Sequence, residues 1–300
     1  MPFYTRGNKL YNNKLRYNLL PIDKNVIYNH INSSTANRLV GKNPATDRLV
    51  YSSQNPYGGV GDAGTWVRNP NCWINGVSNI SCFSPAQRSG ANWWQRAGTL
   101  VTTRHFIQAT HFTTAILPNG GTPIIFVDEN NNAIRRNLIA YDFAPNDIAI
   151  GLLDNDVPSN IKIAKVLPPN YKDYIQALNI NGSELFGLLS VGLDQEEKAL
   201  VKTITTISTF INFDNMSGPS GGVNPYPEWS ETIIVGDSGN PIFLIIDNEL
   251  VLISTWLSPT AGPFMTTHYN AINEAINRLS SNQGYSLTPI NLELVYHKYS

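Results

Sequence analysis

The chain has 300 residues, enough to bury the core of one large domain or two modest ones. Only 14% of residues are charged, and 21 Lys and Arg face 22 Asp and Glu. No basic field exists to draw nucleic acid or anionic lipid, so neither a nucleic acid nor a membrane is expected as a partner. No apolar run approaches the ~18 residues of a membrane-spanning helix. The opening MPFYTRGNKLYNNKLRYNLLPID lacks an unbroken apolar core ahead of a small-residue cleavage site, so a soluble chain without a signal peptide is expected.

Residues 1–70 are rich in Asn, Tyr, Ser and Gly and show no sustained helical or strand period. They are expected to form an N-terminal extension that wraps the body, or a propeptide. Cys72 and Cys82 follow, either as one disulfide or as two buried thiols. They make no zinc-ligand set with His, and no metal or other cofactor is expected. From about residue 93, short runs rich in Val, Ile, Thr and Phe recur: AGTLVT, FIQAT, TPIIFVD, IAIGLLD, KIAKVL, LFGLLSVG, ALVKTITTIS, TIIVG, PIFLIID and ELVLISTW. Turn signals such as Asn119-Gly120-Gly121 and Asp247-Asn248 separate them. Many short strands with such spacing indicate an all-β sandwich or barrel, divisible into two halves near 160–175. Near the end, Ala271, Ile272, Ala275, Ile276 and Leu279 recur at helical spacing, with Glu274 and Arg278 as an outward i,i+4 pair.

The stretch IIVGDSGNPIF sets Gly236-Asp237-Ser238-Gly239 between two apolar runs. Such residues form turns readily, but the same turn can present a nucleophilic hydroxyl and free amides. A serine nucleophile needs a base, and the base needs an acid to orient it. GTLVTTRHFIQATHF carries two histidines, His105 and His111, whose even offset puts both on one face of a regular strand. APNDIAIGLLD offers Asp147 just before an apolar run, with Asp142 as the fallback.

Together these segments resemble the chymotrypsin-like (trypsin-fold) serine peptidases. GDSGNP differs from that family's Gly-Asp-Ser-Gly-Gly-Pro only at Asn240, and GTLVTTRHFIQATHF matches the family's histidine segment in frame. Asn146-Asp147-Ile148-Ala149 matches its acid motif, and LVLISTW resembles its Ser-Trp-Gly strand. The resemblance covers about residues 72–280. It implies two packed six-stranded antiparallel β-barrels with a C-terminal helix: the first over 71–165, the second with the helix over 166–285, and 286–300 as a tail. It implies a serine endopeptidase with His111, Asp147 and Ser238 as catalytic residues. The amides of Gly236 and Ser238 would form the oxyanion hole, and Thr232, Thr255, Trp256 and Leu257 would line the substrate cleft. Thr255 would offer its hydroxyl to Asp147. The partner would be a protein or peptide, with the chain's own N-terminal segment as a candidate substrate or plug.

Departures from the family pattern shape these expectations. Phe112 and Arg96 stand where a cysteine pair is usual, and Ile234 replaces another cysteine. Thr232 stands where an acid would select Lys or Arg, and Leu257 replaces a wall glycine, so an uncharged side chain is expected before the scissile bond. No Arg/Lys-Ile-Val-Gly-Gly segment near residue 70 supplies a new amino terminus for Asp237. Either another partner holds Asp237, or the oxyanion hole is preformed, or cleavage is unconventional, or Asp237 simply caps its own turn. A non-catalytic binding protein on the same fold, and a peptidase limited to self-processing, are the alternative readings.

Overall fold

The protein is described from a computed structural model covering residues 21–56, 64–89, 92–94, 98–113, 115–118, 120–176, 178–180, 183–210, 213–217, 224–258 and 261–300. In chain order, helix α1 (Asn25–Leu39) and the hairpin β1 (Tyr51–Asn55) and β2 (Thr65–Arg68) precede two sheets. The first comprises β3 (Ala86–Ser89), β4 (Asn92–Trp94), β5 (Thr99–Leu100), β6 (His105–Ala109), β7 (Thr122–Val127), β8 (Ala133–Ala144) and β9 (Ile148–Leu153). The second comprises β10 (Lys165–Val166), β11 (Leu178–Ile180), β12 (Ser183–Leu193), β13 (Ala199–Phe210), β14 (Phe213–Ser217), β15 (Pro241–Ile246), β16 (Glu249–Thr255) and β17 (Ala261–Pro263). Helices α2 (Tyr269–Leu279) and α3 (Leu292–Tyr299) close the chain.

Both sheets close into barrels of the same winding. In the first, the path β4-β3-β7-β8-β9-β6-β5 has for its two ends the neighbouring pieces β4 and β5, and a bridge from Phe83 to Thr99 joins them across β3. In the second, β16-β15-β12-β13-β14-β17 is closed by a bridge from Ser254 to Phe264. Taking β4 and β5 as one strand, each barrel has six strands in the cyclic order first-second-third-sixth-fifth-fourth. Among the described residues the strand pairings are antiparallel except that of β10 with β16, at the margin of the second barrel, where Val166 also makes a parallel bridge to Pro289. The all-β expectation, with paired barrels and a C-terminal helix, holds.

Strand periodicity sets the interiors. On β6, Phe106 points into the first barrel's core, with Leu100, Ile124, Phe126, Leu138 and Leu153. Its neighbour Ile107 faces the opposite way, into a larger core shared with Phe243, Leu252 and Trp73. The barrel is tight there: a Cβ at Gly151 on β9 would lie 2.3 Å from the Phe106 ring. Asp247 and Asn248 both have positive φ (51° and 63°), which gives the β15–β16 hairpin the two-residue turn its sequence announces.

Three sequence expectations need correction. The first 70 residues contain regular structure: α1 buries Ile27, Ile31, Thr35 and Leu39, one residue in every four, against the second barrel. The helix was not legible because one of those four is a threonine and the remaining positions are rich in Asn and Ser, which favour other conformations. Docking compensates. The Asn32 carboxamide oxygen accepts the Leu189 N–H at 2.8 Å, and the His30 ring stacks on Tyr299 of α3 at 3.8 Å. The supposed tail carries α3, capped by the Asn291 carboxamide and buried through Leu292 and Val295. Arg278 on α2 is drawn away from Glu274: its Nε donates to Asp142 at 2.7 Å, tying the helix to β8. Cys72 and Cys82 are two separate buried thiols, and burial pushes the Cys72 thiol up to about 11.

Because α1 is docked through buried aliphatics, Ile31→Ala is expected to cost the whole protein about 2–4 kcal/mol. Urea unfolding followed by tryptophan fluorescence measures this, and a loss below about 1 kcal/mol would mean that α1 unfolds independently of the barrels.

Candidate active site

The end of β6 and the start of β9 bring a histidine and a carboxylate together. After Ala109 the chain leaves the strand in a 3₁₀ turn, Thr110–Phe112, which lifts His111 out of the ladder. Asp147 sits in the short connection from β8 to β9, where Asn146 and Asp147 adopt φ of 62° and 68°. Asn and Asp tolerate the left-handed region better than other side chains, at a cost on the order of 1 kcal/mol. Three hydrogen bonds hold the two turns together. Thr110 N–H donates to the Asp147 carbonyl at 2.9 Å, His111 N–H donates to Asp147 Oδ1 at 2.9 Å, and His111 Nδ1 meets Asp147 Oδ2 at 2.6 Å. A carboxylate at Oδ2 requires the proton on Nδ1, leaving Nε2 as a lone-pair acceptor. The acid is sheltered (15% exposed) while the imidazole is 42% exposed, so Nε2 is available to a reactant.

His105, the rival base, is fully buried. The Thr102 hydroxyl oxygen accepts the N–H groups of Arg104 (3.1 Å) and His105 (2.9 Å), so its own proton goes to His105 Nδ1 at 2.8 Å. The ring is thereby fixed neutral, with its proton on a buried Nε2 that has no partner. Burial, aided by the Arg104 charge, lowers its pKa to about 4. His105 is a core residue. Asp142, the fallback acid, is committed to Arg278.

Ser238 comes from the second barrel. Gly239 has φ +84°, and a Cβ there would lie 2.9 Å from the backbone nitrogen of Ala109, so the turn that carries Ser238 packs on the end of β6, two residues before His111. The turn is pinned from below: Gly239 N–H donates to the Trp256 carbonyl (2.8 Å) and Trp256 N–H to the Asn240 carbonyl (3.0 Å). Asp237, 1% exposed, accepts Ile234 N–H at Oδ2 and Gln195 N–H at Oδ1, both at 2.8 Å. It thus caps its own turn and also has an outside partner. Gly236 has φ +113°, and among the described residues neither its N–H nor that of Ser238 donates to a protein acceptor. The Ser238 hydroxyl likewise has no hydrogen-bond partner there, so the structure joins His111 to Asp147 but not to Ser238.

The expected cleft residues fare differently. Thr232 is exposed and Leu257 half-buried, its N–H donating to the Ala261 carbonyl at 3.0 Å. Trp256 is 2% exposed and belongs to the second barrel's core, its indole N–H donating to the Leu193 carbonyl at 3.1 Å. Gly192 makes room for it, since a Cβ there would approach the indole to 2.8 Å. Trp256 is therefore a packing residue and does not wall a cleft. The Thr255 hydroxyl is buried and, among the described residues, makes no hydrogen bond, to Asp147 or to any other group. Sequence reading missed Gln195. Its amide holds Asp237, and its side-chain oxygen lies 2.4 Å from where a Gly236 Cβ would be, closing over that glycine. In sequence it is only a polar turn residue between two strands, and nothing local signals a contact across 42 positions.

No protein-family model matches the chain, and no curated protein does. Among solved structures, human heparin binding protein is similar in fold, with a TM-score of 0.46 and 12% identity over 71% of this chain and 96% of that one.

The buried neutral His105 gives stability a signed pH dependence. Its folded pKa lies below the ordinary 6.5, so the unfolded chain takes up a proton first and stability falls as pH drops from 6.5 towards 4. The loss amounts to about 3 kcal/mol at ~1.36 kcal/mol per unit. Urea midpoints at about pH 7.5 and about pH 4 should show this portion of the slope missing in His105→Gln.

Proposed function

We propose that the protein is a serine endopeptidase acting through Ser238, His111 and Asp147. The observation that carries this reading is the double capture of Asp147 by His111, which leaves Nε2 as an exposed base beside the turn that bears Ser238. In the proposed reaction His111 Nε2 takes the Ser238 proton as Oγ attacks the substrate carbonyl. The carbonyl oxygen becomes an oxyanion, received by the N–H groups of Gly236 and Ser238, which donate to no protein acceptor among the described residues. Collapse of the adduct returns the proton from Nε2 to the departing amine and leaves an acyl-enzyme. Water, deprotonated by the same nitrogen, then releases the acid and restores Ser238. Asp147 stays ionised throughout, holding the tautomer and balancing the imidazolium charge.

Neither the exposed Thr232 nor Leu257 carries a charge, which supports the uncharged preference for the residue before the scissile bond. Trp256 drops out of the substrate contacts.

Hydrolysis of an unstructured protein and of short chromogenic peptides tests the proposal. Asp147→Asn keeps the size of the side chain but offers Nδ1 of His111 a mixed donor–acceptor group, and turnover is expected to fall by roughly 10³-fold or more. Turnover unchanged within about threefold would remove Asp147 from the mechanism.

A further inference from the structure

The nucleophile turn does not hold itself. Asp237 is a desolvated carboxylate, and only one of its two amide donors, Ile234 N–H, comes from its own turn. The other, Gln195 N–H, belongs to the turn joining β12 to β13, whose shape comes from a positive φ at Glu197 (60°) and from Asp194 Oδ1 accepting the amides of Glu196 and Lys198, both at 2.9 Å. That turn has a template. Val50 N–H donates to the Glu197 carbonyl at 3.0 Å, Ala199 N–H donates to the Arg48 carbonyl at 2.7 Å, and Leu49 bridges Lys198 in antiparallel register. The pairing is anchored at its edge, where Arg48 Nη2 meets Glu231 at 2.6 Å and Lys198 Nζ meets the same carboxylate at 2.9 Å. Beneath it, the Glu197 carboxyl, Tyr51 hydroxyl and Arg68 Nη1 are buried and have no hydrogen-bond partner among the described residues, so the Glu197 side chain adds no hydrogen bond to those that Asp194 gives the turn.

We propose that residues 48–50 are a built-in positioning strap for the nucleophile turn: they template the 194–198 turn, which through Gln195 fixes Asp237 and with it the peptides that carry the Gly236 and Ser238 N–H groups. The catalytic consequence rests on the peptidase reading, whereas the mechanical coupling does not. The strap fills, from within the folded chain, the need for an outside partner at Asp237. It makes the oxyanion-binding peptides depend on a segment some 190 residues earlier in the chain.

Hydrogen exchange read by mass spectrometry on the full-length chain, together with the rate of labelling by a fluorophosphonate, tests this. Val50→Pro removes the N–H that Glu197 accepts, and Arg48→Ala removes the ion pair while sparing the backbone. In Val50→Pro, exchange is expected to rise at least tenfold in peptides covering both 194–198 and 233–239, with β6–β9 and α2 unchanged. Arg48→Ala should show the same pattern more weakly, and Arg48→Lys should restore it. Labelling should slow at least tenfold in Val50→Pro, and peptide turnover should lose kcat with KM kept within about threefold. Exchange that rises only at 194–198, or uniformly in both variants, overturns the strap. A wild-type chain that takes no label overturns the peptidase reading instead, and the exchange result still decides the strap.

Discussion

Everything proposed for the site depends on Asp147 taking two hydrogen bonds from one residue, the backbone and the ring of His111. A single carboxylate–imidazole contact leaves the ring free to swivel, whereas two donors from the same residue fix its plane, its tautomer and its distance from the strand end. The arrangement requires two irregularities next to regular strands: a 3₁₀ turn straight after β6, and left-handed residues straight before β9. β6 and β9 are adjacent in the sheet, so both irregularities fall at the same barrel rim, and the Thr110 N–H bond to the Asp147 carbonyl continues the ladder to join them. Local strain is thereby held by the buried strands on either side.

The second barrel supplies the other half through backbone contacts. Gly239 is close enough to Ala109 that no side chain fits between them, which makes the relation between the Ser238 turn and β6 one of main chain on main chain. Such contacts permit little drift, and they hold the Ser238 turn beside the His111 strand end, with no hydrogen bond between the two side chains among the described residues. Asp237 links that turn to the β12–β13 connection, and the N-terminal segment backs the connection in turn. The N-terminal layer thus packs as part of the body: α1 covers the second barrel, α3 clasps α1, and residues 48–50 extend the sheet edge at the 194–198 turn.

Much of this was legible in the sequence because strands and tight turns leave local marks. Short runs rich in Val, Ile, Thr and Phe, such as FIQAT and PIFLIID, announced the strands, Asp247-Asn248 announced a hairpin, and in-frame motifs singled out His111 over His105 where spacing could not. The structure gives the physical reason for that choice: Thr102 locks His105 as a neutral core ring, through a hydroxyl whose two acceptor positions are filled by neighbouring amides. What stayed hidden was non-local or weakly patterned. α1 has a polar residue on its buried stripe and Asn elsewhere, so only docking reveals it. Trp256 and Thr255 match a motif in sequence, yet the space left by Gly192 takes the indole inward, and the buried Thr255 hydroxyl makes no hydrogen bond to Asp147. Gln195 reaches the site from another strand pair altogether.

The most direct test of the triad is to locate a fluorophosphonate adduct by peptide mass spectrometry in the wild-type chain, Ser238→Ala and His111→Ala. A working triad gives one adduct, on Ser238, absent in Ser238→Ala and slowed by about 10³-fold or more in His111→Ala. A folded wild-type chain that carries no adduct, or one labelled equally well without His111, would contradict it.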